Sequence, residues 1–484
     1  CHHILRGSRA WLHTDREESS LCIVSSLLGI PLVAMGGATS SDAAAPEHPP
    51  SIALADLSLE GKKVAIISYG SRGDVQPFVA LGVRLKTAGC SVLVVANVDH
   101  QEFVTSFSLD FVGTAPSCRD DHKRPEFVEG IATNEFKEFW AWQFKSKKDM
   151  ADELSKKECD AVTGFGPDLI YATPLTYPNA CTLADKLKTP MILGSLFPMG
   201  NFMSYLGFKF MKPPPHPTLI HWSPALTKVP PMLQLSHRVT GFLVVEEQDK
   251  HEDDSSIFGG DADRKRLEEF LAKGEPPVYM GWGSMIVPSS VTGLAVRALK
   301  QAGLRGVILG GWAGLGAHML DGEPDQQELE EYASGQVLFM QSAPHEWLFP
   351  KCAVTVHHGG AGTVAAALRA GVPTVITPCF GDQPDNARIV EENGCGLAMG
   401  QISTLKAEEL GTALKKCATD EDMRAKCITL SQQLQSEDGI YATACAVGCY
   451  LQVIDENRAE PLAGPLAEWK TAWKVKQRMD ESGL

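Results

Sequence analysis

The sequence has no CxxC pair and no His/Cys spacing of the kind that holds zinc, although 13 cysteines occur in its 484 residues. An odd, scattered set suggests neither a disulfide framework nor a structural metal; it fits a reducing compartment, so the expected location is the cytoplasm. Excess positive charge is also missing. Lys and Arg number 44 against 59 Asp and Glu, a formal net charge of -15, which speaks against a general grip on nucleic acid phosphates. The one basic-looking stretch, KSKKDMADELSKKE at 145–158, interleaves acids with bases and reads as a solvated helix face. Long apolar runs are scarce. Residues 21–38, LCIVSSLLGIPLVAMGGA, are the exception, but Glu17 and Glu18 precede the run and Pro31 interrupts it. A leader is the expectation there, with an anchor or signal, and peripheral membrane contact, left open. No methionine precedes Met35, so the chain either begins inside a longer protein or carries upstream sequence. Residues 39–58 read as linker.

What is present is the balance of a globular enzyme, 44% hydrophobic and 21% charged. The length favours two domains and therefore a cleft. From Lys62 onward short apolar runs alternate with helical patterns. KVAIISYG, CSVLVVAN, PDLIYATP and PMILGSL read as buried parallel strands of a first half; PVYMGWGSM, GVILGGWAGLG, QVLFMQSAP, AVTVHHGG and PTVITPCFGD read as those of a second. Between about 200 and 260 lie PPPHP, a proline pair at 230–231 and HEDDSS, which suit no regular element. Two doubly wound α/β domains follow: a leader and linker over 1–60, a first domain over 62–240, a second over 241–450 and a tail over 451–484. Ligands of such folds sit beyond the carboxyl ends of the strands, where these runs place their glycines.

At one such end, VHHGGAGTVAAALRAGVP at 356–373 puts two histidines before a glycine-rich turn and a helix of good formers. Backbone N–H groups at a helix N-terminus suit a phosphate, and an adjacent histidine adds a donor or, once protonated, a full charge. Alone, such a turn is as well explained by ordinary βα packing. One strand further on, GDQPDNARIV offers Asp382 and Gln383, whose acceptors and donors could meet several hydroxyls of a sugar; a solvated loop with Asp385 as cap explains Asp382 less well. His357, one residue before His358 on an extended segment, should face the other way and be structural.

These residues resemble a known family. SAPHEWLFPKCAVTVHHGGAGTVAAALRAGVPTVITPCFGDQ looks like the nucleotide-sugar signature of the two-domain GT-B glycosyltransferases, nearest to the sterol 3-beta-glucosyltransferases and the bacterial antibiotic glycosyltransferases. GSRGDVQPFVALGVRL, GEPPVYMGWGSM and VILGGWAGLG extend the likeness over roughly 62–450. The resemblance implies two Rossmann-like domains facing across a cleft, with the acceptor on the first and the nucleotide sugar on the second. It assigns the donor diphosphate to His358 and to backbone at Gly360, Ala361, Gly362 and Thr363, with Gly283 and Ser284 touching the phosphates too. Asp382 and Gln383 would hold the sugar hydroxyls, Ala343 and His345 would line the uracil, and Ser71 and Arg72 would close over the donor. Ala366 stands where plant small-molecule transferases carry a ribose-binding glutamate, as in the sterol branch, whereas Asp385-Asn386-Ala387 is closer to the bacterial enzymes.

Transfer also needs a base for the acceptor hydroxyl. Many relatives use a histidine after the first strand, but GSRGD has none. Asp74 is the candidate by position and by resemblance; as a helix cap it would have a lowered pKa and be a poorer base, and both roles stay open. The expectation is therefore an inverting transferase moving a hexose, glucose from UDP-glucose, to a hydroxyl of a lipophilic acceptor such as a sterol. The UDP-sugar is a co-substrate, with no cofactor and no metal expected. A UDP-sugar epimerase or hydrolase, or a non-catalytic nucleotide-sugar or lipid-binding protein, are the alternative classes. His216, His237, Trp140 and Trp142 read as ordinary packing residues rather than ligand contacts. The tail segment AEWKTAWKVKQRM reads as a brace across to the first domain.

Overall fold

The computed structural model describes residues 59–198, 216–227, 237–244 and 258–458. The run at 21–38, the linker at 39–58 and the segment AEWKTAWKVKQRM lie outside the described residues.

Most continuous apolar runs followed by glycine or polar residues form strands buried on both faces, whereas QVLFMQSAP forms one that is only partly buried. The first sheet contains β1 (Lys63–Ile67), β2 (Ser91–Asn97), β3 (Asp110–Ala115), β4 (Leu169–Ala172), β5 (Met191–Ser195), β6 (Thr218–Ile220) and β7 (His237–Val239). Its order is β3-β2-β1-β4-β5-β6-β7, parallel throughout. Helices α1 (Arg72–Thr87), α2 (Cys118–His122), α3 (Pro125–Thr133), α4 (Lys137–Phe165) and α5 (Tyr177–Leu187) connect these strands. The second sheet contains β8 (Val278–Gly281), β9 (Gly306–Leu309), β10 (Val337–Met340), β11 (Val354–His357), β12 (Thr374–Ile376) and β13 (Gly396–Ala398). Its order is β10-β9-β8-β11-β12-β13, again all parallel. Helices α6 (Ala361–Arg369) and α7 (Gln383–Glu392) follow β11 and β12, and α8 (Gly439–Arg458) comes after the second sheet.

Both sheets reverse their winding once, between β1 and β4 and between β8 and β11. Loops leaving the carboxyl ends there run to opposite sides and open a crevice, so the topology nominates the turns after β1, β8 and β11. The three apolar faces of α1, β1 and α8 fuse into one core, with Val75, Phe78, Ile66, Ala444, Val447 and Leu451 all buried. Helix α8 thus returns from the second sheet to the first, and Lys62 Nζ pairs with Asp455 at 2.8 Å. The two halves also share apolar volume. Phe127, Phe136 and Phe139, from the α3–α4 excursion, are buried in one cluster with Trp282 and Met285 of the second half. Trp140 and Trp142 lie against the same cluster, and Arg124 stacks on Trp142 at 3.9 Å, which makes them packing residues.

Two expectations need correction. The stretch between 200 and 260 is not wholly irregular: Thr218–Ile220 and His237–Val239 extend the first sheet by two strands. Three residues between turn formers carry too little pattern to announce a strand. The charged stretch at 145–158 is not a purely solvated face either, since Glu158 is buried beneath the first sheet's carboxyl end and accepts a hydrogen bond from Tyr69.

Candidate active site

In the first half the turn after β1 feeds directly into α1. Ser71 is its N-cap, and Asp74 stands at the third helical position, not at the cap as the sequence suggested. The Asp74 Oδ2 accepts from the Ser71 N–H at 2.7 Å and from Ser71 Oγ at 3.0 Å. No protein group among the described residues hydrogen-bonds Oδ1. Burial raises the Asp74 pKa above the usual carboxylate range; the bonds from Ser71 and the nearby His100 work against this without reversing it. Desolvation therefore outweighs capping, and the poor base expected of a capped carboxylate is corrected to a strengthened one.

Asp74 is held by residues that the sequence did not single out. Gly70, at φ +135°, takes a backbone conformation open to glycine, and a methyl group there would run into the Asp74 carboxylate. Its N–H donates to Asn97 Oδ1 at 2.9 Å, and its carbonyl accepts from His100 Nε2 at 2.9 Å. Asn97 ends β2, and His100 lies in the turn that follows it. Next to it, the Tyr69 hydroxyl bonds Thr114 Oγ1 at 2.7 Å and donates to Glu158. Arg72 is turned away: its guanidinium lies 3.8 Å over the Phe103 ring and donates to Gln76 at 3.0 Å, so it is engaged within the first half.

In the second half, β11 separates the two histidines. His357 is fully buried; its Nδ1 accepts from the Gly359 N–H at 3.1 Å and its Nε2 donates to Thr374 Oγ1 at 2.9 Å. His358 faces the opposite way. Its Nδ1 is buried with no hydrogen-bond partner, and burial lowers its pKa to about 4. Glycines make room for the ring: a Cβ at Gly360 would stand 2.6 Å from Nε2, and one at Gly283 would stand 3.3 Å from Cε1. Gly360 is also the N-cap of α6 and brings no side-chain cap, while the first helical bond runs from Val364 N to the Gly360 carbonyl. The N–H groups of Ala361, Gly362 and Thr363 precede that bond and point, with the positive end of the helix dipole, into the space beside His358.

After β12, Asp382 stands at the N-cap position of α7 without a side-chain capping bond, and Asn386 joins it to the glycine turn: Asn386 Nδ2 donates to Asp382 Oδ2 at 2.8 Å and to the Gly359 carbonyl at 2.9 Å. Gln383 is buried, and its Oε1 accepts from the N–H groups of Cys379 at 2.8 Å and Phe380 at 3.1 Å. Its carbonyl shapes the loop and is not offered to a ligand. Ala343 is buried, and His345 is held inward by Tyr279, 3.0 Å from its Nε2, and by stacking on Phe349.

The halves meet at this point. Helices α1 and α6 are in contact, and repulsion from Asp74 joins burial in raising the Asp382 pKa to about 6. A carboxylate from one half therefore lies within electrostatic reach of a second carboxylate from the other, on a helix packed against the one whose N-terminus follows His358.

The chain as a whole is similar to known proteins. Residues 323–439 fit the family model described as erythromycin biosynthesis protein CIII-like, C-terminal domain. A sterol 3-beta-glucosyltransferase of Arabidopsis thaliana is 28% identical over 476 residues, covering 85% of this chain and 70% of that protein. One from Pichia angusta is 27% identical over 433 residues, covering 79% of this chain and 33% of that longer protein. Among solved structures, the glycotransferase of kitacinnamycin aligns with a TM-score of 0.57 at 20% identity over 80% of this chain and 98% of its own. The calicheamicin glycosyltransferase CalG4 gives 0.57 at 15% identity over 83% and 100%. This chain has the GT-B fold.

In GT-B terms, Asp74 belongs to the start of α1 in the first domain and His358 to the turn after β11 in the second. Among the described residues no group of three or more His, Cys, Asp or Glu side chains is arranged to hold a metal ion, and no helix is long and apolar enough to cross a membrane. His216 sits edge-on to Tyr177 and His237 lies within β7, both in the first domain.

Two consequences can be measured. His357→Leu removes a donor and an acceptor that serve Thr374 and the Gly359 N–H, so it should destabilise the fold by about 2 kcal/mol in urea unfolding. Nucleotide affinity of the folded fraction should stay close to that of the parent. Asn386→Leu should do the reverse. With the tie between Asp382 and the glycine turn cut, donor KM should rise by roughly tenfold, the equivalent of one hydrogen bond to a charged group.

Proposed function

We propose that the protein transfers a hexose, glucose from UDP-glucose, to a hydroxyl of a sterol or similar lipophilic acceptor, with inversion at the sugar carbon. The observation that carries this reading is the contact of α1 with α6, which puts Asp74 within electrostatic reach of Asp382, itself tied through Asn386 to the glycine turn that follows His358. The names of the relatives support the sugar and the acceptor class.

In this mechanism the diphosphate lies against the N–H groups of Ala361, Gly362 and Thr363, with His358 donating to it and the Gly283–Ser284 turn beside it. Asp382 accepts from sugar hydroxyls, oriented by Asn386. The acceptor hydroxyl approaches from the first domain and gives its proton to Asp74 as its oxygen attacks the sugar carbon. The bond from that carbon to the β-phosphate oxygen breaks, and UDP departs with the electron pair. The raised pKa of Asp74 suits this, because a carboxylate of ordinary acidity holds a proton too weakly to drive the step. The chain's own donors stabilise the leaving diphosphate, so no metal and no further cofactor is assigned a step.

The test is UDP release by the purified full chain with UDP-glucose and a sterol. Release that depends on the sterol, with a sterol glucoside formed, supports the proposal. Release independent of any acceptor would make the protein a hydrolase, and tight UDP binding without turnover would make it a binding protein.

A further inference from the structure

One titratable side chain of the first domain reaches into the second and takes no part in the mechanism above. His122 ends α2 and is buried. Its Nδ1 lies 3.2 Å from the carbonyl oxygen of Ser284, in the turn after β8 that stands beside His358. A carbonyl only accepts, so Nδ1 carries the proton. Nε2 is then the acceptor and faces the Cys118 thiol at 3.8 Å, which settles the tautomer.

The ring has little freedom to make another bond. It stacks on Phe127 with centroids 4.2 Å apart and planes 4° from parallel, and meets Trp312 edge-on at 5.6 Å. Phe127 in turn sits edge-on to Phe380 at 5.4 Å, and the Phe380 N–H is one of the two held by Gln383. The Ser284 turn is bound on its other side too, as the neighbouring Gly283 carbonyl accepts from Trp312 N at 2.9 Å. Burial lowers the His122 pKa, which keeps the imidazole neutral and its single N–H aimed at Ser284.

We infer that His122 is a positioning residue for the donor: from the acceptor domain it holds the Ser284 turn in the shape that the nucleotide-sugar diphosphate requires. It touches neither the sugar nor the phosphates and acts through the Ser284 backbone. The inference rests on the donor reading of that turn, deepening it by making donor affinity depend on the closed contact between domains.

Two substitutions separate the bond from the packing. His122→Phe keeps an aromatic ring on Phe127 and loses the donor; His122→Asn loses the ring and keeps an N–H close to the position of Nδ1. The Phe variant should raise the donor KM and the UDP Kd by roughly tenfold, as loss of one hydrogen bond in a dry site implies, with acceptor KM unchanged. The Asn variant should restore most of that affinity. Hydrogen exchange of the Trp282–Met285 amides, without any nucleotide, should quicken in the Phe variant and not in the Asn variant.

Parent-like exchange and UDP affinity in the Phe variant would overturn the inference. So would loss of both in the Asn variant alone, since the stacking, not the bond, would then hold the turn. If exchange depends on His122 while the parent protein binds no UDP, the positioning contact stands and the donor reading of the site fails.

Discussion

Asp74→Asn should lower kcat by about a thousandfold, the scale of a lost general base, with UDP affinity nearly unchanged. The substitution discriminates because asparagine keeps the shape and the acceptor. Its side-chain oxygen can still take the Ser71 N–H, now 2.7 Å from Asp74 Oδ2, so α1 keeps its start while the proposed proton acceptor is gone. The parent should show an acid limb in kcat/KM above the usual carboxylate range, activity rising with pH as Asp74 ionises. That limb should vanish from the residual activity of the variant. Stability runs the other way. A carboxyl whose folded pKa is raised binds its proton more tightly in the folded chain, so its ionisation weakens the fold as pH rises, and the weakening is relieved on acidification. Asp74→Asn should accordingly be no less stable than the parent at pH 7. An unchanged kcat would sink the base assignment, and a variant that unfolds readily at pH 7 would return Asp74 to the role of a cap.

The parts of the fold legible in the sequence were those in which a buried parallel strand runs straight into a glycine turn. β1 with Gly70 and β11 with Gly359 are such cases, because burial on both faces demands a continuous apolar run and the close turn demands glycine. Apart from β10, which QVLFMQSAP announced, the edges were not legible. β3 is only partly buried over its first residues, and β6, β7 and β13 are three residues long, too short for any periodicity to build. The candidate site divides in the same way. Asp74, His358 and Asp382 follow strands directly and could be placed from local pattern. Asn97 ends β2, His100 and His122 lie on other connections, and only tertiary placement brings them to Gly70 and Ser284. Glu158 did leave a trace: Leu154, Glu158 and Val162 fall at i, i+4 and i+8 on one helix face, a stripe in which the glutamate takes an apolar position. The charged neighbours at Lys156 and Lys157 hid it. Electrostatics was the least legible layer. The pattern SRGD announces a capped carboxylate with a lowered pKa, and only the surrounding volume shows that burial prevails.

His358→Ala should lower kcat/KM for the donor by about a hundredfold, about 2.7 kcal/mol of transition-state stabilisation. The imidazole stands just before the open N–H groups of α6, and its Nδ1 is buried without a protein partner. Such an atom is costly to bury unless a ligand completes it. Burial brings its pKa down to about 4, so the free protein holds it neutral near pH 7. A diphosphate beside the ring adds negative charge and favours the imidazolium, which means that UDP binding should be coupled to proton uptake. Calorimetry of UDP binding in two buffers of different ionisation enthalpy would measure that uptake, and it should disappear in His358→Ala. Uridine, which has the base and ribose but no phosphate, should bind parent and variant alike. Equal loss of uridine and UDP would mean that the substitution collapses the pocket as a whole, and equal retention of both would remove His358 from the diphosphate.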